Sequence, residues 1–191
     1  MDNLDILLAE DESMVAISLQ AQLQNLGHQV IASARTGYEA VDMAKRFTPD
    51  LVVMDVKMPE LDGIEASRLI SQELFCPIIL VTAFSDEALI ERADQAGVSA
   101  YLVKPVSEKD LAPAIRLALS RFKELESLRQ EVQNLEEALA TRKLIARAKG
   151  ILMDRDGVSE NQAFYYIQRQ SRDLRISMKE MAQSILHGTD K

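Results

Sequence analysis

The chain has 191 residues, is 47% hydrophobic and 27% charged, and carries a net charge of −8. That balance excludes a disordered chain. No apolar run nears the roughly 18 residues of a membrane span and the acidic N-terminus is unlike a signal peptide, so a cytoplasmic protein with no membrane partner is expected. Cys76 is the single cysteine, which excludes an intrachain disulfide and a cysteine-rich metal site.

Short apolar runs alternate with helical patterns. "LDILLA" (4–9) precedes an amphipathic stretch from Ser13 to Leu26, closed by Gly27. "HQVIASA" (28–34) leads to a helix over 37–47, stopped before Pro49. The run 51–55 is followed by a helix over 63–74, then "PIILVT" (77–82), a helix over 86–96 and "AYLV" (100–103). Strands separated by helices predict a parallel, doubly wound five-stranded sheet. A further helix starts near Ser107 and meets no Gly or Pro between Pro113 and Gly150. We therefore expect a domain over 1–120, a linker helix over 121–140 and a helical domain over 141–191.

In open α/β sheets the site lies beyond the carboxyl ends of the strands. Glu10 and Asp11 follow strand one, Asp55 strand three, Thr82 strand four and Lys104 strand five. Three carboxylates brought together would repel one another, so a divalent cation such as Mg²⁺ is the natural partner, keeping room for phosphate oxygens. Lys104 and Thr82 would supply charge and a hydrogen bond to a phosphoryl group, and Pro105 would stiffen the turn that aims the lysine. A carboxylate nucleophile, a metal and a lysine are the parts an acyl-phosphate site needs.

"LLAEDE", "LVVMDVKMPELDG", "ILVTAF" and "AYLVKPV" resemble the motifs of response-regulator receiver domains across about 1–120. The resemblance implies a flavodoxin-like fold and phosphorylation of Asp55 by a sensor histidine kinase. It implies that Glu10, Asp11, Asp55 and the Lys57 carbonyl organise Mg²⁺, and that Thr82 and Tyr101 form a switch pair. Ala83 is small, as the family needs beside the phosphoryl group, whereas Glu10 stands where Asp is commoner. A phosphatase with an aspartyl nucleophile would need a second acid two residues after Asp55. Lys57 occupies that position, so a switch is expected rather than an enzyme, with at most intrinsic self-dephosphorylation.

Leu125, Leu128, Val132, Leu135 and Leu139 are spaced 3, 4, 3, 4, a coiled-coil seam. In a parallel dimer Glu124 would attract Arg129, while Glu131 would repel Glu136. The coil is thus expected to be marginal and its homodimer to be promoted by phosphorylation.

Charge changes sign beyond the seam: residues 1–140 carry net −12 and residues 141–191 net +4. That suits a C-terminal part that meets a polyanion. Asp156-Gly157 marks a turn, and Ser159 with Gln162 and Ser177 with Glu180 read as capping boxes opening two more helices. Ala163, Phe164, Ile167, Met178, Met181, Ala182 and Ile185 supply a small core for a three-helix bundle. Gly150 interrupts an apolar-periodic stretch, which predicts close backbone packing. Arg142 and Lys149 share one helix face, and so do Lys143 and Arg147. Tyr165, Arg169 and Arg172 fall at i, i+4, i+7, one aromatic and basic stripe.

"ARAKGILM", "AFYYIQR" and the short last helix resemble the ANTAR domain over about 125–187. The resemblance implies binding to paired stem-loops in nascent mRNA and transcription antitermination, with Arg142, Arg147, Lys149, Tyr165, Arg169 and Arg172 as candidate RNA contacts. Unstacked loop bases would meet tyrosine or arginine and phosphates the cations. Two other outputs compete: DNA binding, and a dimerisation tail that meets protein partners. No clear helix-turn-helix pattern supports the first, and the basic tail speaks against the second.

Overall fold

The computed structural model describes residues 3–83, 91–93 and 95–188. Five strands, β1 (Asp5–Ala9), β2 (Gln29–Ala34), β3 (Leu51–Asp55), β4 (Ile78–Thr82) and β5 (Ala100–Val103), alternate with helices α1 (Ser13–Asn25), α2 (Gly37–Phe47) and α3 (Gly63–Glu73). Of the helix predicted over 86–96, residues 91–93 are helical, while 86–90 and 94 lie outside the described residues. All neighbouring strands pair in parallel, in the order β2-β1-β3-β4-β5. The order reverses between β1 and β3, so the crevice expected of an open sheet opens there.

Apolar residues leave both faces of the sheet as packed layers. Leu7, Val52, Met54, Ile78 and Leu80 meet Ala40, Val41, Ala44, Ile64 and Ile70 of α2 and α3. Ile6, Leu8, Val53, Ile79 and Val81 meet Leu19 and Leu23 of α1 with Leu111 and Ile115 further on. β3 and β4 are buried along their whole length, which is why they read as unbroken apolar runs rather than alternating ones. β5 lies at the edge and alternates, leaving Tyr101 and Val103 exposed.

The chain divides into two compact units, Met1–Glu126 and Ser127–Lys191. Helix α4 (Glu108–Asp156) supplies residues to both. In the first unit Leu111, Ala114, Ile115 and Ala118 pack on the sheet, and Phe122 stacks on Phe75 with ring centroids 4.4 Å apart. Leu125, Leu128, Val132, Leu135 and Leu139 are all more than half exposed, so the predicted seam is a solvent-facing apolar stripe.

In the second unit the end of α4 packs with α5 (Glu160–Asp173) and α6 (Met178–Leu186). Both predicted capping boxes are present at Ser159 and Ser177. Ala148, Leu152, Ala163, Ile167, Met181, Ala182 and Ile185 form the core, with Met178 partly buried against it. Phe164, expected in this core, is exposed; Tyr166 packs there instead, because it follows Ala163 by three residues and so shares its face. Gly150 also departs from expectation. It lies inside α4, and among the described residues a Cβ placed on it would meet nothing within 4 Å, so no packing among them asks for glycine.

Candidate phosphoacceptor site

The strand registers build the site. β1 pairs with β3 so that Ala9 lies opposite Met54, and the next residues are Glu10 and Asp55. β3 sets Asp55 opposite Val81, one residue before Thr82, and β4 sets Thr82 opposite Val103, one residue before Lys104. The Lys104 N–H donates to the Thr82 carbonyl at 2.7 Å, extending that ladder by one step. Apolar runs therefore deliver Glu10, Asp55, Thr82 and Lys104 to one rim.

Glu10 is 1% exposed and Asp55 6%. Two carboxylates so buried need a cation, and Lys104 supplies it. Its Nζ donates to Glu10 Oε2 at 2.9 Å, Glu10 Oε1 at 3.1 Å and Asp55 Oδ2 at 3.1 Å. Burial pushes the Glu10 carboxyl above its ordinary range; the Lys104 hydrogen bond pulls it back down and the Asp55 charge raises it further. Burial works against the Lys104 charge, yet its hydrogen bonds to Glu10 and Asp55 outweigh that and hold it above the ordinary lysine range. Asp11 completes the cluster: a carboxylate oxygen from each of Glu10, Asp11 and Asp55 lies within 4.8 Å of the others. Three hard oxygen donors, one from a half-exposed residue, fit a Mg²⁺ ion that keeps part of its water shell. Lys57 and Ala83 are exposed beside the rim, Thr82 is buried, and Tyr101 stands 46% exposed on the edge strand. The Lys104–Pro105 peptide is cis.

Gly63 belongs to this site although its part in it is not legible in the sequence. Its N–H donates to the Val56 carbonyl at 2.8 Å, and a Cβ on it would run into the Asp55 carbonyl oxygen. Only glycine lets α3 start so close under Asp55. The available signal is a glycine as the first residue of a helix whose N-cap, Asp62, already accepts from the Glu65 N–H at 2.7 Å. Beside the rim, α1 and the turn after β5 enclose a cavity of about 420 Å³, lined by Met14, Val15, Ser18, Lys104, Pro105 and Val106 among others.

The basic residues of the second unit do not converge in this way. Arg142, Lys143, Arg147, Arg169 and Arg172 are exposed, as is Tyr165. Lys149 is the exception: its Nζ donates to Glu160 at 2.6 Å, and that hydrogen bond holds Glu160 below the ordinary carboxylate range.

A parallel sheet of this order, with a carboxylate trio and a lysine at its carboxyl rim, is the architecture of a signalling switch domain. The family model of the response regulator receiver domain matches residues 6–116, and that of the ANTAR domain residues 133–186. The transcriptional regulatory protein PdtaR of Mycobacterium tuberculosis is 48% identical over 188 residues, spanning 97% of this chain and 92% of PdtaR. Among solved structures, the signal receiver domain of a modulated diguanylate cyclase from Desulfovibrio desulfuricans G20 is 32% identical with a TM-score of 0.60, covering 64% of this chain and 98% of that one. A LuxR-family two-component response regulator from Aurantimonas sp. SI85-9A1 is 30% identical with a TM-score of 0.59, covering 62% and 86%. The chain belongs to the response regulators, a receiver domain followed by an ANTAR domain. It is a signalling switch with the architecture of an RNA-binding antiterminator. No helix among the described residues is long and apolar enough to cross a membrane.

Proposed function

We propose that phosphorylation of Asp55 by a sensor histidine kinase controls binding of the C-terminal unit to stem-loops in nascent mRNA, relieving transcription termination in the cytoplasm. The observation that carries the reading is the Lys104 ammonium held between Glu10 and Asp55, beside a carboxylate trio that fits Mg²⁺. An Asp55 oxygen attacks the phosphorus of a phosphohistidine whose other ring nitrogen carries a proton; the P–N bond breaks, an acyl phosphate forms, and the imidazole leaves neutral with that proton. Glu10, Asp11, Asp55 and the Lys57 carbonyl would hold Mg²⁺, which when bound offsets the negative charge of the phosphoryl oxygens. Lys104 lines the cavity beside α1 as well as the rim, which supports an approach of the kinase from that side.

Once Asp55 carries a phosphoryl group, its oxygens replace the free carboxylate as acceptors for Lys104 and draw the turn after β5 toward them. The Thr82 hydroxyl donates to the same group, and Tyr101 on the adjacent strand follows. That shift favours pairing of the Leu125–Leu139 stripe with a second copy, whose seam covers the exposed leucines. Two copies then present Arg142, Arg147, Lys149, Tyr165, Arg169 and Arg172 twice. Hydrolysis of the acyl phosphate is intrinsic and resets the switch.

The test is a gel shift of phosphorylated protein against hairpin RNA and duplex DNA of matched length. Preference for hairpin RNA is expected. Preference for duplex DNA would favour a DNA-binding output, and binding to neither would favour a tail that meets protein partners.

A further inference from the structure

An interior glycine makes a helix less stable than alanine would, so it needs a reason. For Gly150 none is found among the described residues: the space where its Cβ would lie is open, and the helix runs on to Asp156. The core side of the helix here is formed by Ala148 and Leu152. With about 100° per residue, Gly150 lies on the opposite side, where Lys143 and Arg147 flank it on one hand and Arg142 and Lys149 on the other. Arg142, Lys143 and Arg147 are exposed and make no hydrogen bond or ion pair among the described residues. Lys149 is held at the margin of this face by Glu160, and Asp154, one turn further on, ends the basic strip.

A gap in the side-chain layer at the C-terminal end of a basic strip, on a solvent-facing side of the helix, suits a polyanion backbone that must come closer than a methyl group allows. We propose that Gly150 is the point of closest approach of the RNA sugar–phosphate backbone to α4, with Arg147 and Lys143 meeting phosphates on one side of it. This rests on the reading of the C-terminal unit as an RNA-binding module. It adds that glycine, rather than a cation, sets how near the strand can lie. A helix of a second copy would also fit an open glycine, but Arg142, Lys143 and Arg147 on the same face would repel their own images across a two-fold interface.

Gly150→Ala in the full-length chain tests this, with phosphorylated protein and a synthetic RNA of paired stem-loops. A backbone contact is independent of base sequence, so the native transcript is not needed. The variant should melt at the wild-type temperature or above, yet bind the RNA at least about threefold more weakly, with a smaller dependence of affinity on salt because a phosphate contact is lost. Gly150→Leu should extend the loss. Helix stability and RNA affinity thus move in opposite directions, which no purely structural role produces. Unchanged binding by both variants, where wild type binds, would overturn the proposal alone. So would a fall in affinity that only follows a fall in melting temperature, or a changed sedimentation coefficient with RNA affinity intact, which would assign the glycine to protein contact. A wild-type chain that binds no hairpin would overturn the RNA reading and the proposal together.

Discussion

The two units place charge in opposite ways. In the receiver, acids and a lysine sit at the buried ends of apolar strands, where an unpaired charge is costly and each group must find a partner. In the C-terminal unit most of the cations lie on exposed helix faces, where water solvates them and little inside the chain dictates their identity. A buried rim therefore announces its chemistry through its own energetics, whereas a solvated basic face becomes a site only when a polyanion arrives. Substitutions at the rim should act on stability and phosphorylation together, and those on the face on binding alone.

The largest effect expected is at Asp55, the proposed nucleophile. Asp55→Asn should abolish labelling by a small phosphodonor in the presence of Mg²⁺, because only the carboxylate can form the acyl phosphate. Undiminished labelling that survives acid would place the phosphoryl group elsewhere. Next is Lys104→Ala, which leaves Glu10 and Asp55 buried without their cation. Removing one partner of a buried pair costs on the order of 3 kcal/mol, the low end of the usual range because the ammonium is partly exposed. Thermal melts should show that loss, with Mg²⁺ restoring more stability to the variant than it adds to wild type. The variant should also lose the phosphorylation-dependent gain in RNA binding; retention of that gain would remove Lys104 from the switch.

The same contrast explains what could be read in advance. A strand end is a fixed point: an apolar run must stop where a carboxylate or ammonium appears, so Glu10, Asp55, Thr82 and Lys104 could be placed on one rim from their position after each run. The parallel registers then did the rest. Contacts made by backbone left fewer traces. Gly63 lies under the Asp55 carbonyl, yet its sequence signature is that of any glycine after a cap. In short helices the pattern is looser still, since several neighbouring apolar residues compete for a narrow core stripe. Phe164, expected in that stripe, proved exposed on that account while Tyr166 packs there, and Gly150 proved to face outward rather than into packing.

On the solvated face the expected effects are smaller and cleaner. Tyr165 is 66% exposed, with its ring 6.2 Å from that of Phe164, so Tyr165→Ala should leave the melting temperature nearly unchanged. If the ring stacks on a loop base, hairpin affinity should fall by about 1–3 kcal/mol, and the loss should vanish when the loop is closed into duplex. Equal losses on looped and fully paired RNA would rule out stacking.

The smallest effect separates the units by pH. His28 is 5% exposed, with both ring nitrogens buried and without a hydrogen-bond partner among the described residues, and burial lowers its affinity for a proton below the ordinary histidine value. The unfolded chain then binds a proton more readily than the folded one. Stability should decline as pH falls through about 6.5 and level off below the folded value. His28→Gln should flatten this dependence between about pH 7.5 and 5.5. An identical slope in melts of both proteins would assign it to other groups.

The most direct test of the account is hairpin RNA affinity measured on the full chain, with Mg²⁺, before and after treatment with a small phosphodonor, beside the Asp55→Asn variant. The account predicts tighter binding by treated wild type and no change in the variant. Equal affinity before and after treatment, or the same gain in Asp55→Asn, would contradict it.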